Sequence, residues 1–463
     1  MSVDVAALVD KDRGMVSRRI FWDEAIYQLE LDRIFMRCWL LLGHESQVAE
    51  PGQYFTTWMG DEPIIVTRDR ERQVRAMINS CRHRGNSVCR ADAGQTRSFL
   101  CAYHGWTYGL DGSLIGVPGD EERYHGDLDR GEWGLIPVPQ VATYKGLIFG
   151  TFDPSAPPLE DYLGQTRWAL DYILDQRAGG TEVVGGVYKW LIKSNWKLGA
   201  DNIMGDNYHS AVTHRSALMV GHMTLARNEH RNGNPRTDGA PEPRAPRTAR
   251  PGFTAPLAWG HGFMTDLQPV DSSDFAGYPE PLRSYYLETQ PEIERRLGPT
   301  RARVKKINLT VFPNLCFNTS SNTMRVWQPR GPHETEVWLW TLVDKDAPAE
   351  VKRLMRQAGQ RHFSPAGLFE QDDMDNWEQV TRAAGGRISR QHALHYAMGL
   401  GHEAWATDGV VTRQINAIND ESNQRAYYGG WADFMSGADW DELRRRRAAW
   451  EGVPTPRPGG ARG

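Results

Sequence analysis

Two short segments that combine cysteine and histidine are the most distinctive feature of the sequence: residues 81–83 read CRH and, after seventeen further residues, residues 101–106 read CAYHGW. Each of these two short segments offers one thiolate and one imidazole. Two cysteines and two histidines can hold a [2Fe–2S] cluster in which histidine replaces cysteine on one iron. They could also hold tetrahedral zinc, but zinc sites usually pair like residues with like, so the mixed pairs favour the iron–sulfur cluster. The four candidate ligands are Cys81, His83, Cys101 and His104.

A second group of candidate metal ligands lies about a hundred residues further on, where residues 201–214 read DNIMGDNYHSAVTH. This stretch contains His209 and His214, and residues 369–373 read FEQDD. Two histidines and one carboxylate form the facial triad of a non-haem Fe(II) oxygenase, which leaves coordination positions open for O₂. The pair of aspartates at 372 and 373 offers two carboxylates, and the residues alone leave the choice between them open.

These three stretches together resemble the large (α) subunit of the Rieske-type aromatic-ring-hydroxylating oxygenases. The resemblance runs from about residue 21 to about residue 428, and it is specific because two unrelated metal motifs occur in the family's order and spacing. It implies an α+β chain, with an all-β Rieske [2Fe–2S] domain and a helix-grip catalytic domain that has a curved antiparallel sheet. It also implies Asp373 as the carboxylate ligand of the mononuclear Fe(II), with Asp372 as the alternative.

Changes in sequence pattern predict the domain organisation. Apolar residues at helical spacing predict an amphipathic helix over residues 19–40. Short β-branched and aromatic runs predict strands between residues 53 and 78. The expected domains are an N-terminal helical part of the catalytic domain (1–40), the Rieske domain (41–155), the catalytic mononuclear iron domain (156–451) and a disordered tail (452–463).

The spacing of the iron ligands predicts a local irregularity. Asn202, Asp206 and His209 are spaced to share one face of a helix that begins near residue 194. His214 lies five residues past His209, which is about 140° of rotation on an ideal helix. Both histidines can bind one ion only if the helix is distorted or ends between them. We predict a distortion of the π-bulge kind.

The resemblance also implies roles for the residues beside the iron, and Asn202 and Asp206 are the expected catalytic residues. Asp206 can accept a hydrogen bond from the free ring N–H of His209 and so fix its orientation. In the family, the matching aspartate also touches a Rieske histidine of the neighbouring subunit. This implies an electron route from His104 through Asp206 to His209 across a subunit boundary.

The expected substrate pocket is formed by the ligand helix, the long strands after residue 305 and the segment 363–369. Because buried amides need partners, its polar members favour a ring that bears a carboxylate, hydroxyl or amine. Alternatively, these polar side chains bind water or one another, and the substrate is a plain bicyclic or polycyclic arene. The sequence of the ligand helix favours this alternative, because it resembles the hydrocarbon-oxidising branch of the family. Residues 231–251 are expected to form a flexible surface loop or a mobile lid. The candidate pocket residues are Ile203, Asn207, Ser210, Val212, Leu218, Asn308, Thr310, Phe363 and Phe369.

Composition limits the compartment and the partners. A net charge of −4 gives no support to a nucleic-acid partner. The sequence contains no run of 18 apolar residues, so it predicts no membrane span. The N-terminus lacks a signal sequence, and the cytoplasm is therefore the expected compartment. Of the five cysteines, Cys38, Cys89 and Cys316 are expected to be buried free thiols. High-potential Rieske proteins carry an extra disulfide-bonded cysteine in each cluster loop; its absence here predicts a low potential, roughly −150 mV.

The resemblance implies a terminal oxygenase component that adds both atoms of its co-substrate O₂ to an aromatic ring and gives a cis-dihydrodiol. The chain has no nucleotide-binding signature, so electrons from NAD(P)H must arrive through a separate reductase, a ferredoxin or both. The family implies a homotrimeric ring of α subunits, with a small β subunit (α₃β₃) or without one (α₃). The alternatives are a Rieske monooxygenase acting on a polar-substituted aromatic, such as salicylate, phthalate or an aniline, and an electron-transfer protein without catalysis.

Overall fold

The computed structural model describes residues 4–219, 252–268, 270 and 278–452. Contacts divide the chain into two compact units, Leu31–Tyr162 and a larger unit that joins Met1–Glu30 to Leu163–Gly463. The smaller unit begins ten residues earlier and ends seven residues later than the range 41–155 expected from the sequence. The expected lid at 231–251 and all but the first residue of the expected tail lie outside the described residues.

The N-terminal segment of the larger unit contains two short strands and a helix, β1 (Val9–Asp10), β2 (Met15–Val16) and α1 (Glu24–Glu30). A 3-10 turn precedes α1, and a π-helical turn, Leu31–Phe35, follows it. Residues 19–40 therefore do not form the single helix expected. Trp22 leaves helical geometry, and the Asp23 carboxylate then accepts a hydrogen bond from the backbone N–H of Ala25, which starts a new helix.

The smaller unit is built from short antiparallel strands. They form one four-stranded sheet, in the order β6-β5-β4-β7, and two three-stranded sheets, β10-β9-β8 and β11-β12-β3. Alternate side chains of β4 are buried, as expected for a sheet with one face on a core. The elements are β3 (Leu40–His44), β4 (Gln53–Met59), β5 (Glu62–Arg68), β6 (Val74–Ile78), β7 (Ala93–Gln95), β8 (Phe99–Leu100), β9 (Thr107–Tyr108), β10 (Leu114–Gly116), α2 (Asp120–Tyr124), β11 (Gln140–Tyr144) and β12 (Leu147–Thr151).

The larger unit contains a seven-stranded antiparallel sheet in the order β13-β19-β18-β17-β16-β15-β14. The strands are β13 (Thr181–Ile192), β14 (Gly252–Pro256), β15 (Gly262–Leu267), β16 (Val304–Val311), β17 (Leu315–Asn318), β18 (Thr323–Pro329) and β19 (Thr335–Asp344); a short β20 (Leu394–His395) pairs with β2. The helices are α3 (Leu159–Leu163, at the boundary of the units), α4 (Arg167–Leu174), α5 (Trp196–Ile203), α6 (Ser210–Thr213), α7 (Arg215–Met219), α8 (Glu280–Ala302), α9 (Ala349–Phe363), α10 (Leu368–Ala384), α11 (Ser422–Met435) and α12 (Trp440–Glu451). The mixture of helices and antiparallel strands confirms the α+β class.

Helix α5 is held between the sheet and the N-terminal segment. It packs on β16, β17 and β18. On its other side, the fully buried carboxylate of Glu30 accepts hydrogen bonds from Lys197 Nζ (2.6 Å), Trp196 Nε1 (2.9 Å) and Trp431 Nε1 (2.8 Å). Buried charges are costly unless they are paired and hydrogen-bonded. Because these contacts satisfy Glu30 and Lys197, they fix α5 between α1 and α11.

Candidate metal centres

The two cysteine–histidine loops of the smaller unit have the same backbone design. The carbonyl of Cys81 accepts a hydrogen bond from the backbone N–H of Gly85 (2.8 Å), and the carbonyl of Cys101 accepts one from Gly105 (3.0 Å). Both glycines have positive φ, 74° and 77°, a conformation that other residues rarely adopt. Each loop is therefore closed by its own sequence.

The four candidate cluster ligands converge from these loops. Cys81 and Cys101 are buried in the apolar core of the unit. The rings of His83 and His104 lie 4.4 Å apart between centroids, and the ring of His83 stacks on Trp106. Two buried thiols beside two adjacent imidazoles are a suitable donor set for a [2Fe–2S] cluster of the mixed kind.

The protonation of these ligands also suits a metal. Burial acts to raise the pKa of the Cys101 thiol, but hydrogen bonds from the Tyr103 backbone and from Asn86 bring that pKa below its usual value. Burial, and then the charges of His104 and Arg84, lower the pKa of His83. At Cys101 and His83 these shifts act toward thiolate and neutral imidazole, the forms that bind metals.

Sequence reasoning missed two side chains that contact the sulfurs. Tyr108 Oη lies 3.2 Å from Cys81 Sγ and accepts a hydrogen bond from the backbone N–H of Arg82. The hydroxyl proton is thus available to the sulfur. Asn86 Nδ2 lies 3.6 Å from Cys101 Sγ. Hydrogen bonds to the sulfurs tune a cluster's potential, but no spacing rule identifies their donors.

In the larger unit, the ligand helix stops before either histidine. Helix α5 ends at Ile203, and Gly205 has φ 131°. A Cβ on this glycine would lie 2.6 Å from Cβ of Met264, so the turn requires glycine. His209 and His214 then flank the one-turn helix α6. The expected π-bulge between the histidines is wrong, because the chain leaves helical geometry at Gly205 instead.

His209, His214 and Asp373 bring three ligand atoms together. The two Nε2 atoms lie 3.3 Å apart, and Asp373 Oδ1 lies 3.3 Å from Nε2 of His209 and 3.4 Å from Nε2 of His214. An ion about 2.1 Å from each corner of this triangle would see ligand angles of about 105°. The donor set and shape fit one face of an iron site, which leaves the opposite side open.

Each histidine also has a carboxylate at its other ring nitrogen. Asp206 Oδ2 lies 3.3 Å from His209 Nδ1, a charge contact rather than an aligned hydrogen bond. Asp372 Oδ2 lies 3.2 Å from His214 Nδ1. Of the two adjacent aspartates, Asp373 therefore reaches the triangle and Asp372 orients a ring. Burial opposes a proton on His209, but Asp206 and Asp373 raise its pKa to about 10, as expected where a cation belongs.

The pocket beside the triangle contains most of the expected substrate residues. Val212 does not line it, because α6 turns this side chain outward, 79% exposed. Thr310 does not line it either, since α5 covers it and its Oγ1 donates to the carbonyl of Ala200. The side chain of Leu218 lies outside the described residues. The expected residues that line the pocket are Asn202, Ile203, Asp206, Asn207, Ser210, Asn308, Phe363 and Phe369.

Three further pocket residues were not anticipated, namely Lys306, Asn318 and Ser320. Lys306 is two residues before Asn308 on β16, so strand alternation could have identified it. Asn318 is the cross-strand partner of Asn308, which requires knowledge of the β16–β17 register. Asn308 is 8% exposed, and its Oδ1 has no hydrogen-bond partner among the described residues.

A buried ion pair lies beneath this pocket. Arg325 Nη1 on β18 lies 3.0 Å from Glu370 Oε2 on α10, and both side chains are fully buried. The guanidinium also lies over the ring of Phe363, 4.4 Å from its centroid. Burial raises the pKa of Glu370 to about 7, against the opposing charge of Arg325. Because Glu370 is one helical turn before Asp373, this pair fixes the helix that carries the carboxylate ligand.

Comparisons with known proteins identify the families of both parts of the chain. A family model described as the ring hydroxylating alpha subunit (catalytic domain) matches residues 159–437, and the Rieske [2Fe-2S] domain matches residues 38–144. The chain is 38% identical to the chlorobenzene dioxygenase subunit alpha of Cupriavidus sp. (strain PS12), with 96% of each chain covered. It is 37% identical to the biphenyl 2,3-dioxygenase subunit alpha of Rhodococcus jostii (strain RHA1), covering 96% of this chain and 94% of that one.

A solved structure of naphthalene 1,2-dioxygenase with indole bound in the active site matches with a TM-score of 0.85 and 33% identity, over 96% of this chain and 97% of that one. The chain therefore belongs to the family of Rieske-type ring-hydroxylating oxygenase α subunits. Within it, the chain is the α subunit of an aromatic-ring dioxygenase, with a Rieske [2Fe–2S] cluster and a mononuclear iron. No described helix is long and apolar enough to cross a membrane.

Proposed function

We propose that His209, His214 and Asp373 hold the catalytic iron and that Cys81, His83, Cys101 and His104 hold the cluster. The triangle of ligand atoms carries the first assignment, because its sides are nearly equal, 3.3 to 3.4 Å. When bound, the iron supplies the activation of O₂. The protein's own contribution is to orient the two imidazoles through Asp206 and Asp372 and to surround the ring of the substrate.

The substrate that we propose is an arene of one to three rings without a polar substituent. The pocket places the rings of Phe363 and Phe369 beside the triangle, and the ring of Phe369 lies 4.9 Å from that of His214. Aromatic rings prefer such tilted or edge contacts with other rings. The two relatives and the solved structure described above are named as dioxygenases of chlorobenzene, biphenyl and naphthalene. These names support an apolar aromatic substrate.

A second candidate is an arene that bears a hydrogen-bond donor. The buried Oδ1 of Asn308 has no partner among the described residues, and a buried acceptor without a partner costs about 1–3 kcal/mol. A hydroxyl or amine on the ring would satisfy it. Either substrate class gives a diol in the same reaction.

A single turnover under ¹⁸O₂ tests the proposal and separates the two classes. Fully reduced protein is mixed with naphthalene, biphenyl, phenanthrene, salicylate, phthalate and aniline, and the products are identified by mass spectrometry. We expect a cis-diol of a hydrocarbon with two labelled oxygen atoms. Diols only from the polar arenes would favour the second candidate, and a phenol with one labelled atom would overturn dioxygenation.

We infer that the working enzyme is a homotrimeric ring that receives electrons from NAD(P)H through a reductase and a ferredoxin, together with a small β subunit. The Asp206 side chain is 34% exposed while it contacts His209, so His104 of a neighbouring copy can reach it. The buried thiols of Cys38, Cys89 and Cys316 fit a reducing compartment, and we infer the cytoplasm.

The Asp206→Ala variant tests the electron route. We expect it to retain both metal centres and the trimer but to lose NAD(P)H-coupled turnover, because the link between copies is gone. The measurements are iron content, cluster absorbance, native mass and product formation with reductase and ferredoxin. Asp372→Ala serves as the matched control: it removes the carboxylate beside the other histidine, so it should weaken iron binding or slow the rate without stopping electron transfer from the cluster. Normal coupled turnover in metal-replete Asp206→Ala protein would exclude the route.

A further inference from the structure

A second cavity, of about 270 Å³, adjoins the iron site on the side of α11. Two members of the triangle, His209 and Asp373, line it together with polar side chains from other segments. A polar cavity of this size has room for several hydrogen-bonded waters. Besides Asp373, the acidic and phenolic side chains that line it are Asp201, Asp206, Tyr208, Tyr396, Asp420 and Glu421.

Asp201 is the buried acid of this cavity. It lies on α5, is 8% exposed, and its Oδ2 accepts hydrogen bonds from Tyr428 Oη (2.8 Å) and Tyr396 Oη (3.0 Å). Burial raises the pKa of Asp201 to about 7; the negative charges of Asp206 and Glu421 act in the same direction and the two tyrosine hydroxyls against it. Near neutral pH this carboxyl therefore exists in both the protonated and the ionised form.

The cavity also has an acid toward its outer side. Glu421 is half-buried, and its Oε2 accepts a hydrogen bond from the backbone N–H of Met398. Burial raises the pKa of Glu421, while the nearby charges of Arg425 and His395 lower it. Tyr396, which contacts Asp201, lines the same cavity as Glu421. Polar groups thus extend from a partly exposed acid to the buried one.

The reaction requires such a supply of protons. An arene, O₂, two electrons and two protons give one cis-dihydrodiol, so every turnover consumes two protons. The ligands themselves are poor donors, because Asp373 and His214 are buried and the Nδ1 atoms of both histidines face the carboxylates of Asp206 and Asp372. Protons must reach the iron site through other groups.

We propose that Asp201, held by Tyr396 and Tyr428, relays protons from Glu421 through water in the cavity to the iron site. In each step the O–H bond of the Asp201 carboxyl breaks, its proton passes to a cavity water, and that water releases a proton toward the side of the cavity lined by His209 and Asp373. The carboxylate regains a proton from solvent by way of Glu421. No electron moves in these steps; electrons come through the cluster. The proposal rests on the dioxygenase function given above.

The first test is Asp201→Asn in the holoenzyme. The amide oxygen still accepts from both tyrosines, but the side chain has no acidic proton. We expect unchanged iron content, unchanged cluster absorbance and unchanged affinity for naphthalene, with single-turnover diol formation at least ten-fold slower. In the natural protein the rate should fall as pH rises through about 7, because the ionised acid cannot donate, and this limb should be absent from the variant. A normal rate in Asp201→Asn overturns the relay.

The second test moves the pKa rather than removing the acid. The Tyr428 hydroxyl lowers the pKa of Asp201, so Tyr428→Phe should shift the pH limb upward. Tyr427→Phe is the matched control, because its hydroxyl donates to the carbonyl of Pro313 and does not contact Asp201. A limb that stays in place in Tyr428→Phe overturns the relay even if Asp201→Asn fails to fold. Absence of diol from the natural protein with every arene would instead overturn the proposed function.

Discussion

The two metal centres of this chain are built in opposite ways. The candidate cluster ligands all lie between Cys81 and His104, on two loops that each close through a hydrogen bond from a glycine to a cysteine carbonyl. The candidate iron ligands come from the loop after α5 and from α10, where the contacting residues His214 and Asp372 are 158 residues apart in the chain. The cluster site is thus specified locally, whereas the iron site depends on the packing of its whole unit.

The largest effect that sharpens this contrast is expected at Asp373. Asp373→Ala removes a corner of the triangle, so we expect loss of the mononuclear iron and of all product while the cluster absorbance stays. Asp372→Asn is the control, since it only weakens the orientation of His214 and should cost about 10- to 100-fold in iron affinity or rate. Iron analysis and cluster absorbance check both variants. Complete iron loss in the Asp372 variant alone would reverse the assignment.

The next largest effect is expected at the buried ion pair of Arg325 and Glu370 beneath the pocket. Arg325→Met leaves the Glu370 carboxyl buried without its partner, so it must take up a proton or remain an uncompensated charge, and breaking a buried pair in this way typically destabilises a protein by about 3–5 kcal/mol. We expect the larger unit to unfold at lower urea while the cluster spectrum of the smaller unit persists. The double variant Arg325→Met with Glu370→Leu should recover most of the loss, since no buried charge remains.

Arg330→Met provides the matched control for this experiment. Arg330 pairs with Glu336 in a partly exposed site, and such a pair contributes about 0–1 kcal/mol. Unfolding is followed by fluorescence, which reports the many tryptophans of the larger unit, beside cluster absorbance. Simultaneous loss of both signals in Arg325→Met would show that the two centres are not independent in stability.

The smallest effect is expected at Tyr108. As a cluster ligand the Cys81 sulfur would carry no proton, so the Tyr108 hydroxyl, 3.2 Å away, would be the donor and would favour the reduced, more negative cluster. Tyr108→Phe should lower the reduction potential by tens of millivolts without loss of the cluster. A redox titration of the holoprotein measures it, with Tyr124→Phe as the control, because the ring of Tyr124 packs on Trp106. An unchanged potential in Tyr108→Phe would contradict the direction of this hydrogen bond.

The same contrast explains what the sequence could predict. The four cluster ligands follow from residue types and spacing alone, because each loop is a local structure. The iron triad needed a family resemblance to connect His209 and His214 with Asp373. Chain spacing could not reveal that the chain leaves helical geometry at Gly205, where the close approach of Met264 from β15 requires a glycine.

Strand and helix periodicity could predict which residues share a face with the pocket, but not which of them other elements cover. Asn308 and Thr310 share one face of β16, and alternation cannot tell that α5 covers the second of them. The buried acid Asp201 escaped the sequence analysis for a similar reason. Its environment is made by Tyr396 and Tyr428, about two hundred residues further along the chain.

The three hydrogen bonds to Glu30 have a consequence for synthesis on the ribosome. Glu30 and its partner Trp431 are 401 residues apart, which is about 20 to 80 s of chain elongation. The smaller unit, Leu31–Tyr162, is complete long before that and can fold as soon as it emerges. The N-terminal segment must wait for the last helices of the protein. During this interval a carboxylate and an ammonium destined for burial remain in water, and the nascent oxygenase carries a folded cluster domain before its iron domain exists.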